Sequence, residues 1–144
     1  MRALIALGSN LGDRAAHLDA ARRGLAGAGA VVAASAVEET APIGVTDQPP
    51  FLNQVVAVET ELSPRALLAL CQELETAAGR VPDHPRWGPR ELDLDILLLG
   101  DLVVDGGGLT IPHPELVNRD FWLRELAQID PALTDPRTGL PLRR

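Results

Sequence analysis

Apolar positions fall in short runs and stripes separated by turn-forming residues. Ala3 to Leu7 is an unbroken apolar run, the length of a buried strand. Gly8-Ser9-Asn10-Leu11-Gly12-Asp13 then turns the chain and offers helix N-cap side chains. Leu11, Ala15, Leu18, Ala21 and Leu25 share one helical face, with glycines 24, 27 and 29 expected to end the helix. Val31 to Val37 predicts a second strand, and a proline-rich loop runs from Thr40 to Pro50. Phe51 to Thr60 alternates as a third strand. Ser63-Pro64 is an N-cap and N1 pair, opening a helix through Leu67, Cys71, Leu74 and Ala78 that Gly79 stops. Arg80 to Pro89 is too rich in proline for regular structure.

The next segment carries chemistry as well as structure. Leu92, Leu94 and Ile96 alternate with Asp93 and Asp95, predicting a fourth strand with both acids on one face. Gly100-Asp101 suits a hairpin turn into Leu102-Val103-Val104, and a last helix is predicted over Arg119 to Ile129. The order β-α-β-β-α-β predicts an α+β ferredoxin-like sandwich. Its sheet is mostly antiparallel with helices on one face, and a C-terminal hairpin and helix are appended. Residues 1–144 are expected to form a single domain.

Composition narrows the function classes. The apolar and charged fractions, 46% and 23%, are those of a globular protein, and no run reaches the ~18 apolar residues of a membrane span. The N-terminus lacks a signal-peptide layout and Cys71 is the single cysteine, so a cytoplasmic location is expected. A net charge of −7 argues against a nucleic-acid partner. All 13 basic residues are arginine, which excludes Schiff-base lysine chemistry and a P-loop.

Asp93 and Asp95, about 7 Å apart along a strand, repel unless a cation lies between them. Hard cations such as Mg²⁺ share one or two carboxylates with substrate phosphates. Arg86 and Arg90 flank Trp87 just upstream, and guanidinium groups suit phosphate oxygens. Acids for metal beside arginines for phosphate make up a nucleotide-phosphate transfer site.

Arg86-Trp87-Gly88-Pro89-Arg90-Glu91-Leu92-Asp93-Leu94-Asp95-Ile96 resembles the most specific motif of the 6-hydroxymethyl-7,8-dihydropterin pyrophosphokinases of folate biosynthesis. Ile5 to Gly12, Thr40 to Gly44, Gln48 to Asn53, Ile111 to Pro114 and Asn118 to Phe121 extend the resemblance in order. It implies transfer of the β,γ-diphosphate of ATP to the hydroxymethyl group of the pterin, releasing AMP. It also implies two Mg²⁺ ions held with ATP by Asp93 and Asp95. The implied catalytic residues are Arg80, Arg90, Asp93 and Asp95. For ATP it points to Gln72, Glu75, Arg80, Trp87, Arg90, Ile96, Thr110, His113 and Arg119. For the pterin it points to Thr40, Pro42, Ile43, Phe51, Asn53, Trp87, Asp93 and Phe121. Phe51 and Phe121 are the only phenylalanines, and a flat heterocycle gains from stacking between aromatic faces.

The fit is not complete. Pro82 and Gly108 stand where the family often has basic residues, and Pro114 where it has an aromatic, so a weaker hold on ATP or slower turnover is expected. The loop from Arg80 to Arg90 is expected to close over nucleotide. Asp95 is a candidate acceptor for the hydroxyl proton. Solvated-face readings stay open for Gln72 and Glu75, as do core readings for both phenylalanines. Cys71, on the apolar stripe, reads as plain core, and Gly8, Ser9 and Asn10 as shaping a turn or binding an anion. A nucleotidyltransferase and a non-catalytic binding module are the rival assignments. Monomer is the expected state, with a dimer left open.

Overall fold

The computed structural model describes residues 1–41, 47–79 and 91–142. Pro42, Ile43, Arg80, Pro82, Arg86, Trp87 and Arg90, and with them the closing loop, lie outside the described residues.

The elements are β1 (Arg2–Ser9), α1 (Arg14–Leu25), β2 (Gly29–Ala34), β3 (Glu38–Thr40), β4 (Phe51–Thr60), α2 (Pro64–Ala77), β5 (Asp93–Leu99), β6 (Val104–Gly106), β7 (Leu109–Ile111) and α3 (Asp120–Ile129). The main sheet runs β2-β4-β1-β5 with β3 also on β4, every pairing antiparallel. This is the ferredoxin-like order, in which both βαβ crossovers carry α1 and α2 to one face.

Local sequence explains most of the elements. Asp13 caps α1 by accepting from Ala16 N at 3.1 Å, and Ser63 caps α2 by accepting from Ala66 N at 3.2 Å, with Pro64 at N1. Leu18, Ala21 and Leu25 of α1 and Leu67 and Cys71 of α2 pack on Ile5, Leu7, Val56, Val58, Leu94 and Ile96. Burial, then the charges of Glu75 and Asp95, pushes the Cys71 thiol up to about 12, so it is an inert core group. On the opposite face lies α3, whose Trp122, Leu123 and Leu126 pack with Leu4, Ala6, Val55, Ala57, Leu97 and Leu98. The C-terminal segment joins this layer, with Leu142 buried and its N–H bonded to Leu133 O at 3.0 Å.

Four expectations need correction. Leu11 and Ala15 are exposed: they lie before and within the first turn of α1, and the buried stripe of that helix begins only at Leu18. Gly24 does not end α1: a Cβ there would stand 2.3 Å from Leu74 Cδ2, so its bareness lets the two helices approach. The strand expected over Val31–Val37 stops at Ala34, and β3 starts only at Glu38, because Ser35 breaks the ladder: its Oγ accepts from Val55 N at 2.9 Å and donates to Ala36 O at 3.0 Å. Gly100-Asp101 does not form a hairpin. Gly100 N donates to Arg2 O, ending the β1 ladder, and the hairpin is β6–β7 around Gly107 (φ 61°) and Gly108 (φ 81°). Two successive left-handed residues are what a type I′ turn demands, and glycine supplies them without strain. Arg65 of α2 grips that turn, donating to Gly107 O at 2.6 Å and Gly106 O at 2.7 Å.

Candidate active site

The part of the sheet beyond the α3 contact holds the acid pair and the residues expected around it. Register places Glu38, Asn53, Gly8 and Asp93 in one cross-strand row over β3, β4, β1 and β5. The next row toward α3 is Val55, Ala6 and Asp95. Asp93 and Asp95 therefore share a face, as the alternation predicts, and both are half-buried. Among the described residues no set of three or more His, Cys, Asp or Glu side chains encloses a metal site. Two carboxylates are thus what the described protein offers a hard cation, a donor set that suits one also bound by substrate oxygens.

His113 is tied to this acid pair. Its N–H donates to Leu97 O at 3.0 Å, anchoring it beside β5. Its Nδ1 accepts from Glu115 N at 3.0 Å, so the neutral ring carries its proton on Nε2, 3.3 Å from Asp95 Oδ1. Trp122 meets the imidazole edge-to-face, with centroids 4.8 Å apart, and Arg119 lies 4.3 Å over the Trp122 ring. Asp95, His113, Trp122 and Arg119 thus form one connected series. Trp122 is the residue that sequence reasoning missed. Its signal was present: it stands at i+3 from Arg119, on the same helical face.

The other wall is built from β3 and β4. Phe51 pairs with Thr40, and the Asn53 amide donates to the Thr40 hydroxyl. Gly8 lies under both, since a Cβ there would be 3.3 Å from Phe51 Cδ1 and from Asn53 Oδ1. Asn10 holds the approach to this wall, donating to Gln48 Oε1 at 2.7 Å and to Pro49 O at 3.0 Å, which is a turn-shaping role. Phe121, in the first turn of α3, is half-buried and 5.9 Å edge-on from Trp122.

The residues implied for ATP divide. Glu75 is buried and its Oε2 accepts from Leu94 N at 2.9 Å, between the two aspartates on the free edge of β5. Ile96 puts its side chain into the helix-side core. Gln72 and Thr110 are exposed on α2 and β7.

Comparison with known proteins gives the family and the fold. The family model for 7,8-dihydro-6-hydroxymethylpterin-pyrophosphokinase matches residues 4–131. The chain is 46% identical over 134 residues to a 2-amino-4-hydroxy-6-hydroxymethyldihydropteridine pyrophosphokinase of Methylorubrum extorquens, covering 92% of this chain and 84% of the relative. It is 44% identical over 132 residues to the Bacillus subtilis protein of that name, covering 88% and 77%. A crystal structure of an HPPK-DHPS in complex with substrates superposes with a TM-score of 0.76 at 13% identity, over 98% of this chain and 42% of that longer one, a likeness of fold. This chain belongs to the 7,8-dihydro-6-hydroxymethylpterin-pyrophosphokinase family.

Proposed function

We propose that the part of the sheet beyond the α3 contact is where a pterin and a nucleotide polyphosphate meet, with ATP as donor and AMP as the leaving product. The chain is a pyrophosphokinase of folate biosynthesis, moving a pyrophosphoryl group to hydroxymethyldihydropterin. The observation that carries the site is the row Asn53–Gly8–Asp93, which sets an amide wall and an acid pair roughly 10 Å apart, two strand spacings.

The substrate alcohol is itself the nucleophile, so the protein's task is to position reactants and balance charge. Asn53, set by Thr40, offers an amide to the polar edge of the pterin, and Phe51 and Phe121 offer ring faces. Asp93 and Asp95 are the oxygen donors for Mg²⁺, two ions with ATP. Such ions, held by Asp93 and Asp95, would supply positive charge against the polyphosphate. His113 holds an Nε2–H beside Asp95 for a phosphate oxygen, and Arg119 is held in reach by Trp122. Gln72, Glu75, Ile96 and Thr110 complete the nucleotide side, and Arg80, Trp87 and Arg90 close it. Pro42 and Ile43 complete the pterin pocket. We place this single domain, residues 1–144, in the cytoplasm as a monomer. No helix among the described residues is long and apolar enough to cross a membrane.

The test is to mix chain, ATP, Mg²⁺ and 6-hydroxymethyl-7,8-dihydropterin and resolve the nucleotide products. AMP with a diphosphorylated pterin supports the reading. Free diphosphate would mean nucleotidyl transfer instead. ATP-analogue binding that Mg²⁺ fails to strengthen would mean a binding module.

A further inference from the structure

The seam between α3 and β3 holds a group that the proposed chemistry does not use. Glu125, in the second turn of α3, is fully buried, and neither carboxyl oxygen meets an N–H or O–H donor among the described residues. Its neighbour is Glu38 of β3, whose two oxygens accept from Arg124 Nη2 at 3.3 and 3.4 Å. Arg124 is exposed and serves Glu38 from outside. Two carboxyls in contact cannot both carry charge cheaply, whereas one proton between them turns repulsion into a hydrogen bond. The series is Arg124, Glu38, then protonated Glu125. A second tie lies alongside, where Ala36 N donates to Gln128 Oε1 at 2.8 Å.

What these ties join gives them meaning. The start of α3 carries Phe121, while β3 carries Thr40, whose hydroxyl takes the Asn53 amide. Glu38 is itself the cross-strand partner of Asn53. The Glu38–Glu125 proton therefore bridges the two walls of the proposed pterin pocket.

We propose that Glu125 is a positioning residue: by donating its proton to Glu38 it holds the Phe121 end of α3 against the Thr40–Asn53 wall, setting pterin affinity rather than the rate of transfer. This rests on the pterin pocket proposed above. Burial first, then the Glu38 carboxyl, raises Glu125 to about 9, against the weaker pull of Arg124. The proton is present at neutral pH and leaves in alkali. The charged groups facing Glu125 are Glu38 from β3 and Arg124 from its own helix, while β4 presents Val55 and Ala57 to α3.

The test is equilibrium binding of 6-hydroxymethyl-7,8-dihydropterin, with kcat measured in parallel, from pH 7 to 10. If only the protonated form binds, Kd weakens about tenfold by pH 10. Glu125→Gln keeps a donor toward Glu38 at every pH, so its Kd should lack that break, with kcat and ATP affinity unmoved. Glu38→Gln removes both contributions that Glu38 makes and should shift the break to lower pH. The inference is overturned by an identical break in Glu125→Gln, or by a break in kcat alone. ¹³C NMR of glutamate-labelled chain reads the proton directly, and a Glu125 carboxyl titrating in the ordinary range would sink the inference while leaving pyrophosphoryl transfer intact. No pterin binding at any pH would instead refute the pocket, and the inference with it.

Discussion

Glu75 decides between two roles, and the structure supplies the magnitude. The resemblance makes it an ATP ligand, yet its buried Oε2 accepts from Leu94 N at 2.9 Å, on the edge strand between Asp93 and Asp95. Hydrogen bonds to a charged acceptor contribute about 1.5–3 kcal/mol, and an orphaned buried N–H costs about 1–3 kcal/mol. Glu75→Ala removes the acceptor and should destabilise by about 2–3 kcal/mol. Glu75→Gln keeps a carbonyl oxygen there and should lose about 1 kcal/mol. Urea unfolding measures this: with a slope of about 1–3 kcal/mol/M, the Ala midpoint falls by about 1–2 M with the slope unchanged. Amide exchange at Leu94 should speed up strongly in Ala and little in Gln. Exchange at Leu94 that both substitutions leave unchanged would refute the strand-holding role. If Gln lost ATP affinity while keeping wild-type stability, Glu75 would be a nucleotide ligand.

Gly29→Ala should cost on the order of 3 kcal/mol, read as a lowered Tm. Gly29 has φ 153°, and a Cβ would stand 1.9 Å from Glu59 O, a backbone atom that cannot move aside. Glu125 imposes a pH slope on stability: its folded-state carboxyl is raised from 4.5 to about 9, so its contribution is complete below pH 4.5 and lost as pH rises toward 9. At about 1.4 kcal/mol per pH unit, urea unfolding at pH 6 and pH 8 should show Glu125→Gln gaining on the parent by about 3 kcal/mol, and parallel curves would contradict this. Asp95→Asn should weaken Mg²⁺-dependent ATP-analogue binding about tenfold or more while leaving the fold intact, as calorimetric titration can show. Normal turnover of that variant at saturating Mg²⁺ would remove Asp95 as proton acceptor.

Elements with local causes were legible in the sequence. Asp13 and Ser63 announce their helices by capping them, and the alternation from Asp93 to Ile96 fixes which face carries the acids. The limits of β4 follow from Phe51–Thr60 alternation. Features set by distant partners were not legible. Ser35 interrupts a β-prone segment because Val55, twenty residues away, bonds its side chain. The true hairpin lies at Gly107-Gly108 because β5 finishes its pairing on β1 at Gly100. Trp122 joins the site only because a tertiary fold brings His113 to it.

The Arg65 guanidinium also constrains what may replace its partner. A Cβ at Gly107 would stand 2.2 Å from Arg65 Nη2, the far end of a flexible side chain, so a bulkier residue there would evict the guanidinium rather than break the fold. Positions 65 and 107 are consequently a matched lock and keyhole. Asparagine, which tolerates left-handed backbone, becomes acceptable at 107 once the arginine is shortened, and neither exchange is neutral alone.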